Sequence, residues 1–276
     1  MLTTVKTQKL LVRTLDGNAD RGLMYAEACF ETFRVIAGAV FCWNAHAARL
    51  RRGAAAFGLH LDDEMVSQLH AACLQEASRH GPDVLLRLTV TGGDATWGIN
   101  LPVESTLNAW IQAKPFCGTA HPVRLCAVAW PWPVKSRPAK FTSDYGEALR
   151  ALQACKGEIE GDEEALFCAG DHVLSTATAN MLLYRQGMWW TPRIEMGGIL
   201  PGVVRSVLLT EGCVKEAVCP LSWLADCAVA AVTNSGSFIR PVSHINDRAL
   251  ELDDALFRPL WDGLAGRPGV PDTIDA

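Results

Sequence analysis

The sequence predicts an α+β protein built as two units, a small α/β unit over residues 1–117 and a larger, strand-rich one over 118–276. Three observations carry this expectation. Helix and strand periodicities alternate up to about residue 117, Gly and Pro then punctuate the chain at "KPFCGTAHPVRL", and short strands dominate the C-terminal half. With 276 residues the chain is long enough for two modest cores.

In the first unit, "LMYAEACFETFRVIAGAV" mixes aromatic and β-branched residues, and "AGAVFCW" reads as a turn between two strands, so a hairpin is expected. Asn44 is placed to cap a helix through "AHAARLRRGAAAFGL" that stops near Gly58. "DEMVSQLHAACLQEASRHG" repeats apolar residues at helical spacing up to Gly81. "DVLLRLTVTGG" and "LNAWIQAKPF" alternate like strands.

In the second unit, "VRLCAVAW" is a strand, "PWPVKSRPAK" a Pro-rich loop and "YGEALRALQACK" a helix. Asp144 and Glu147 have capping-box spacing, apolar positions fall at 145, 148, 149 and 152, and Gly157 ends the helix. Strands "EALFCAG", "HVLSTATANMLLY" and "GMWWTP" come next. "GGILPGVVRSVLLTEG" is a turn feeding a helix, and "CAVAAVTNSGSFIRPV" is a buried strand running into a hydroxyl-rich loop.

A net charge of −5 without a long Lys/Arg run argues against nucleic acid or an anionic membrane as the partner. No apolar stretch suggests a signal peptide or a membrane span, so a cytoplasmic protein is expected. The ten cysteines are scattered without a Cys-x-x-Cys pair, which reads as reduced, mostly buried thiols. The histidines lack metal-ligand spacing, and no metal is expected.

Four features point to chemistry. Lys140 comes directly after "RPA" at the junction of a Pro-restricted segment and a helix, which holds its Cα firmly while the amine reaches into a cleft; Lys135 is the competing lysine. Pro201 and Gly202 make a turn that leaves Val203 and Val204 in a first helical turn, their N–H groups unsatisfied at the positive helix end. Such a place seats phosphate, or is a plain connection. "TNSGS" at 233–237 suits the same anion or a polar turn. Arg49 shares a helix with Arg51 and Arg52 and reads as a ligand or as part of a solvated face. Together, a lysine, a helix-end seat, a second anion loop and an arginine are the parts that hold pyridoxal 5'-phosphate.

The order "DRGLMYAEACFETFRV…HAARLRRGA…AKFTSDY…VLSTATANMLLY…TPRIEMGGILPGVVR…TNSGSFIRPV" resembles the class IV aminotransferases, the fold-type IV pyridoxal phosphate enzymes, over residues 20–246. The resemblance implies a small α/β domain, a larger β-rich pseudo-barrel domain, a cofactor between them and a homodimer. It implies that Lys140 is the Schiff-base lysine and that Arg49, the Val203 and Val204 amides, Ser235 and Gly236 bind the phosphate. Tyr145 matches the tyrosine on the cofactor's phenolic oxygen, and Thr32 is a candidate general acid beside Lys140. Aligned on Asn180, Ser175 stands where most members carry a glutamate facing the pyridine nitrogen.

The Arg-x-His trap of D-amino acid members and the Phe-x-Gly signature of branched-chain members are absent. The blocks are most similar to 4-amino-4-deoxychorismate lyases, although "YAEA" replaces Tyr-Gly-Asp-Gly and Thr-Gly-Gly replaces Thr-Arg-Gly. A hydroxyl at 175 offers a hydrogen bond of about 0.5–1.5 kcal/mol against about 1.5–3 for a charged partner. The ring is then a weaker electron sink, which leans toward elimination on a small amino substrate. An aminotransferase and a relative with altered activity are the alternatives.

Overall fold

The computed structural model describes residues 18–95, 98–100, 106–117, 121–130, 134–155 and 163–271. β1 (Ala19–Asp20) leads into α1 (Arg21–Tyr25), where the Asp20 carboxylate caps the amides of Gly22 and Leu23. β2 (Ala28–Ile36) turns through Ala37 and Gly38, with φ of 49° and 76°, into β3 (Ala39–Val40). Two consecutive positive φ values match the right-handed twist of a tight hairpin. The expected hairpin is present, with a very short second strand.

Helices α2 (Trp43–Ala56) and α3 (Asp63–Ser78) come next, then β4 (Asp83–Thr91), β5 (Asp94–Ala95) and β6 (Asn108–Pro115). β1 pairs with β5, while β3, β2, β4 and β6 form an antiparallel sheet in that order. Strand alternation divides its faces. Cys29, Phe33 and Val35 of β2 and Val84, Leu86, Leu88 and Val90 of β4 share a core with Leu50 and Ala54 of α2 and Val66 and Cys73 of α3. Phe30, Thr32 and Arg87 lie on the other face of the sheet, where Thr32 is registered opposite Arg87.

The remainder comprises β7 (Val123–Ala129), α4 (Tyr145–Cys155), β8 (Glu163–Ala169), β9 (His172–Thr176), β10 (Asn180–Arg185) and β11 (Met188–Pro192). It continues with α5 (Val203–Thr210), β12 (Val214–Ala217), α6 (Ser222–Asp226), β13 (Val229–Asn234), β14 (Phe238–Ile245), β15 (Arg248–Ala249) and α7 (Asp254–Asp262). The order β10-β13-β14-β7-β8-β9 closes on itself because Ser175 of β9 pairs with Asn180 of β10. β11 and β12 extend the sheet from β10, and β15 pairs with β14. Leu125, Leu166, Val173, Met181, Val232 and Val242, one from each strand of the ring, belong to one core, which is therefore the barrel interior. α5 and α7 cover Leu182 and Ala231 on the outside, and Ala151 of α4 packs with Phe167 and Leu174.

Several local expectations are corrected. Asn44 is not a cap: α2 begins at Trp43 behind Cys42, whose left-handed backbone (φ 50°) sets the entry of the helix. Asp144 makes no capping box, because a 3-10 turn over Thr142–Asp144 runs directly into α4 and its carboxylate pairs with Arg137 (3.5 Å) and Lys135 (4.0 Å). "HVLSTATANMLLY" is two strands rather than one, with a turn over 177–179 tied by the Thr176 hydroxyl, which accepts from the Ala179 amide at 2.9 Å. Gly157, the segment 1–17 and residues 118–120 beside the expected unit boundary lie outside the described residues.

Helix α2 meets β2 and the strap before Lys140 at Gly53, where an added Cβ would lie 2.8 Å from Cys29 Cβ and 3.1 Å from Ala139 Cβ. Gly53→Ala gains about 1 kcal/mol of helix propensity but overpacks this contact by about 1–3 kcal/mol. A net loss of stability is expected in thermal or urea unfolding, and an unchanged or higher midpoint would mean the contact yields.

Candidate active site

A cavity of about 310 Å³, the size of a small-molecule site, lies among β2, the Lys140 strap, the β9–β10 turn, the start of α5 and the end of β13. The structure brings these expected site residues to that cavity's lining: Thr32, Arg49, Lys140 and Tyr145 from one side, Ser175, Val203, Val204, Ser235 and Gly236 from the other.

Beneath the cavity sits a buried charge cluster that sequence reasoning missed. Glu31 is 1% exposed and faces α2 from β2. It accepts from Arg49 Nε at 2.7 Å and Nη2 at 2.6 Å, and meets His46 Nδ1 at 2.7 Å. Burial raises its carboxyl pKa, but the Arg49 charge and hydrogen bonds, followed by His46, outweigh burial and hold it at about 2. His46 is held below its ordinary range by burial, which favours the neutral ring donating to Glu31. Arg49 Nη1 donates to Pro201 O at 2.8 Å. Three of its five N–H groups are thus engaged, leaving two donors. The missed signal is Glu31 itself: a carboxylate at a strand position whose neighbours Cys29 and Phe33 face the core must be paired.

Lys140 is anchored through its backbone. Its carbonyl accepts from Phe30 N at 3.0 Å, and Phe141 bridges Cys29 in antiparallel fashion. The amine lies 5.4 Å from the Phe30 ring centroid. Burial and then the Arg49 charge, with Arg87 and Arg137 adding to them against the opposing pull of Glu31, lower its pKa from 10.5 to about 8. The competing Lys135 is exposed and does not line the cavity.

Tyr145 stacks on Phe30 at 5.2 Å, and its hydroxyl accepts from Arg87 Nη1 at 2.7 Å. Arg87 also lies 3.9 Å over Phe30 and has no ion-pair partner among the described residues. Alternation of Leu86 and Leu88 into the core was the signal that Arg87 faces the opposite side. The floor is uncharged: Ser175 is 3% exposed and its hydroxyl donates to Gly198 O at 3.2 Å. One step behind, the buried Glu164 accepts from the Thr178 amide at 2.6 Å and from the Thr178 hydroxyl, fastening the turn that continues this floor.

At the anion seat, Gly202 precedes α5 with no side-chain cap, so the amides of Val203 and Val204 are presented at a positive helix end. Asn180 Nδ2 donates to Leu200 O at 2.9 Å, and its Oδ1 occupies the place an added Gly202 Cβ would reach at 2.0 Å. The Gly236 and Ser237 amides both turn to Asn234 Oδ1 at 2.9 Å. Arg240 donates to His121 O at 3.2 and 3.1 Å. Gly92, where an arginine is common in the family resembled, leaves room for the buried Arg21–Glu27 pair: a Cβ there would lie 2.1 Å from Glu27 Oε2.

The lowered pKa makes a direct prediction. Labelling of Lys140 by an amine-reactive aryl sulfonate should rise with pH through a midpoint near 8, where an ordinary lysine rises near 10.5. Peptide mapping of the label reads this out, and a midpoint above 10 would show that neither burial nor the arginines act on the amine.

Three solved structures resemble this one. A putative 4-amino-4-deoxychorismate lyase from Legionella pneumophila is 25% identical with a TM-score of 0.74, covering 91% of this chain and 96% of the other. The branched-chain amino acid aminotransferase of Escherichia coli is 19% identical with a TM-score of 0.75, covering 87% and 85%. A hypothetical aminotransferase from Mycobacterium tuberculosis in a PLP-bound form is 16% identical with a TM-score of 0.72, covering 95% of each chain. No match is found among curated protein sequences. The family model for amino-transferase class IV matches residues 28–245, from the first core residue of β2 to the last of β14. The chain therefore belongs to the class IV aminotransferase family of enzymes, in the fold-type IV architecture.

Proposed function

We propose that this enzyme holds pyridoxal 5'-phosphate in the cavity and releases pyruvate from 4-amino-4-deoxychorismate, leaving 4-aminobenzoate. The residues present fit the cofactor. The uncapped start of α5 and the two spare Arg49 donors suit its phosphate, Lys140 suits its aldehyde, and the Arg87-bound Tyr145 hydroxyl suits its phenolic oxygen. When bound, the group supplies a carbon that links to an amine and a ring that draws electrons from the adjoining carbon.

The observation that carries the lyase reading is the uncharged floor, Ser175 to Ala179, with the Ser175 proton already given to Gly198 O. Without a carboxylate on the ring nitrogen, electron withdrawal is weaker. An elimination that ends in an aromatic product supplies much of its own driving force and tolerates that. Lys140, with a pKa near 8, takes the proton from the carbon bearing the substrate amine. The bond from the ring to the enolpyruvyl oxygen then breaks with its electron pair on oxygen, and Lys140 or Thr32 returns a proton to the leaving group. Arg87 and Arg137 place positive charge beside the cavity for a substrate with two carboxylates.

The reading includes a homodimer and a cytoplasmic setting. Leu23, Ile99 and Trp110, exposed at 72%, 77% and 56%, cluster about α1 and offer an apolar surface to a second copy. Sedimentation of the purified protein should give a dimer, and Leu23→Glu with Trp110→Glu should shift it to monomer.

With cofactor and 4-amino-4-deoxychorismate, pyruvate and 4-aminobenzoate are expected in equal amounts, measured by coupled lactate dehydrogenase and by fluorescence. Lys140→Ala should lower the rate by at least about 100-fold. Ser175→Glu should create amino-acid-dependent bleaching of the visible cofactor band. Bleaching of the unaltered protein by L- or D-amino acids, with no pyruvate from aminodeoxychorismate, would instead establish an aminotransferase.

A further inference from the structure

One buried hydroxyl of the anion seat has no role in the proposed elimination. Thr233 of β13 is 1% exposed and lines the cavity, and its Oγ1 has no hydrogen-bond partner among the described residues. Native folds rarely leave such an atom unpaired. Its place is well defined, because Thr233 is registered against Asn180 across β13 and β10. Side chains of directly paired residues leave the sheet on the same face. The Asn180 carboxamide reaches Leu200 O and the Gly202 backbone, so that face looks toward the start of α5.

In the neighbouring loop Ser235 also lines the cavity, but the Gly236 and Ser237 donors are already engaged. The Gly236 amide, the Ser237 amide and the Ser237 hydroxyl all converge on Asn234 Oδ1, at 2.9, 2.9 and 3.1 Å. We propose that the Thr233 hydroxyl is a phosphate ligand, donating to an oxygen of the anion held by the Val203 and Val204 amides and Arg49. This rests on the reading that the cavity takes a phosphorylated cofactor. The hydroxyl satisfies itself only when the anion is bound, which separates it from a residue that merely supports the strand.

Thr233→Val keeps the shape and removes the hydroxyl; Thr233→Ser keeps the hydroxyl. Pyridoxal 5'-phosphate is titrated by absorbance, inorganic phosphate by thermal shift, and each apo protein is melted alone. Loss of a hydrogen bond to a charged group should weaken both ligands about tenfold in Thr233→Val, with Thr233→Ser near the parent. The apo melting temperature of Thr233→Val should be unchanged or higher, since no bond is lost. Equal affinities for parent and Thr233→Val would overturn the assignment, as would a lower apo melting temperature with unchanged phosphate affinity. If the parent binds phosphate but no pyridoxal phosphate, the cofactor reading fails, while the phosphate titration of Thr233→Val still decides the ligand.

Discussion

The site depends on one buried interaction, the pairing of Glu31 with Arg49. A carboxylate with 1% exposure is tolerated only because two guanidinium nitrogens and a histidine surround it. The pairing sets Arg49 in one orientation, with its remaining terminal nitrogen on Pro201 O. Through that contact a helix of the small sheet reaches the start of α5 on the barrel. The anion seat is therefore assembled from both halves of the chain.

The same charges set the chemistry of Lys140. Its backbone is pinned to β2, which sets the base of the side chain beside the cavity, where the charges of Arg49, Arg87 and Arg137 act on the amine. Burial and this positive field favour the neutral amine, while Glu31 opposes them. The balance near 8 leaves about a tenth of the amine neutral and able to accept a proton at pH 7, far more than for an ordinary lysine. The floor, by contrast, contributes no charge. The buried carboxylate behind it, Glu164, is spent on Thr178, so it orders the turn that continues the floor. Cations on the walls and hydroxyls below suit an anionic ligand.

Much of the fold was legible because strand alternation and helical spacing are local. Leu86 and Leu88 on one face of β4 already require Arg87 on the other, although its contact with Tyr145 was not readable. Asp144 and Glu147 misled for the same reason. Their spacing is that of a capping box, but Arg137 and Lys135 compete for the carboxylate and a 3-10 turn removes the cap position. Read as a continuous strand, "HVLSTATANMLLY" hid a turn because small hydroxyl residues serve both conformations. Thr176 chooses the turn by bonding Ala179.

By itself the sequence determined the succession of strands and helices, the lysine after a Pro-restricted strap, the glycine before an uncapped helix and the serine in the floor. Each stems from residue type and short-range spacing. Only the tertiary structure decided that β9 returns to β10 to close the barrel, that Glu31 lies under Arg49, and that the Thr233 hydroxyl is left without a partner among the described residues. These rest on contacts between distant segments, such as Arg49 to Pro201 across 152 residues. No local pattern encodes which distant group will satisfy a buried charge or hydroxyl, because that partner is chosen by packing of the whole chain.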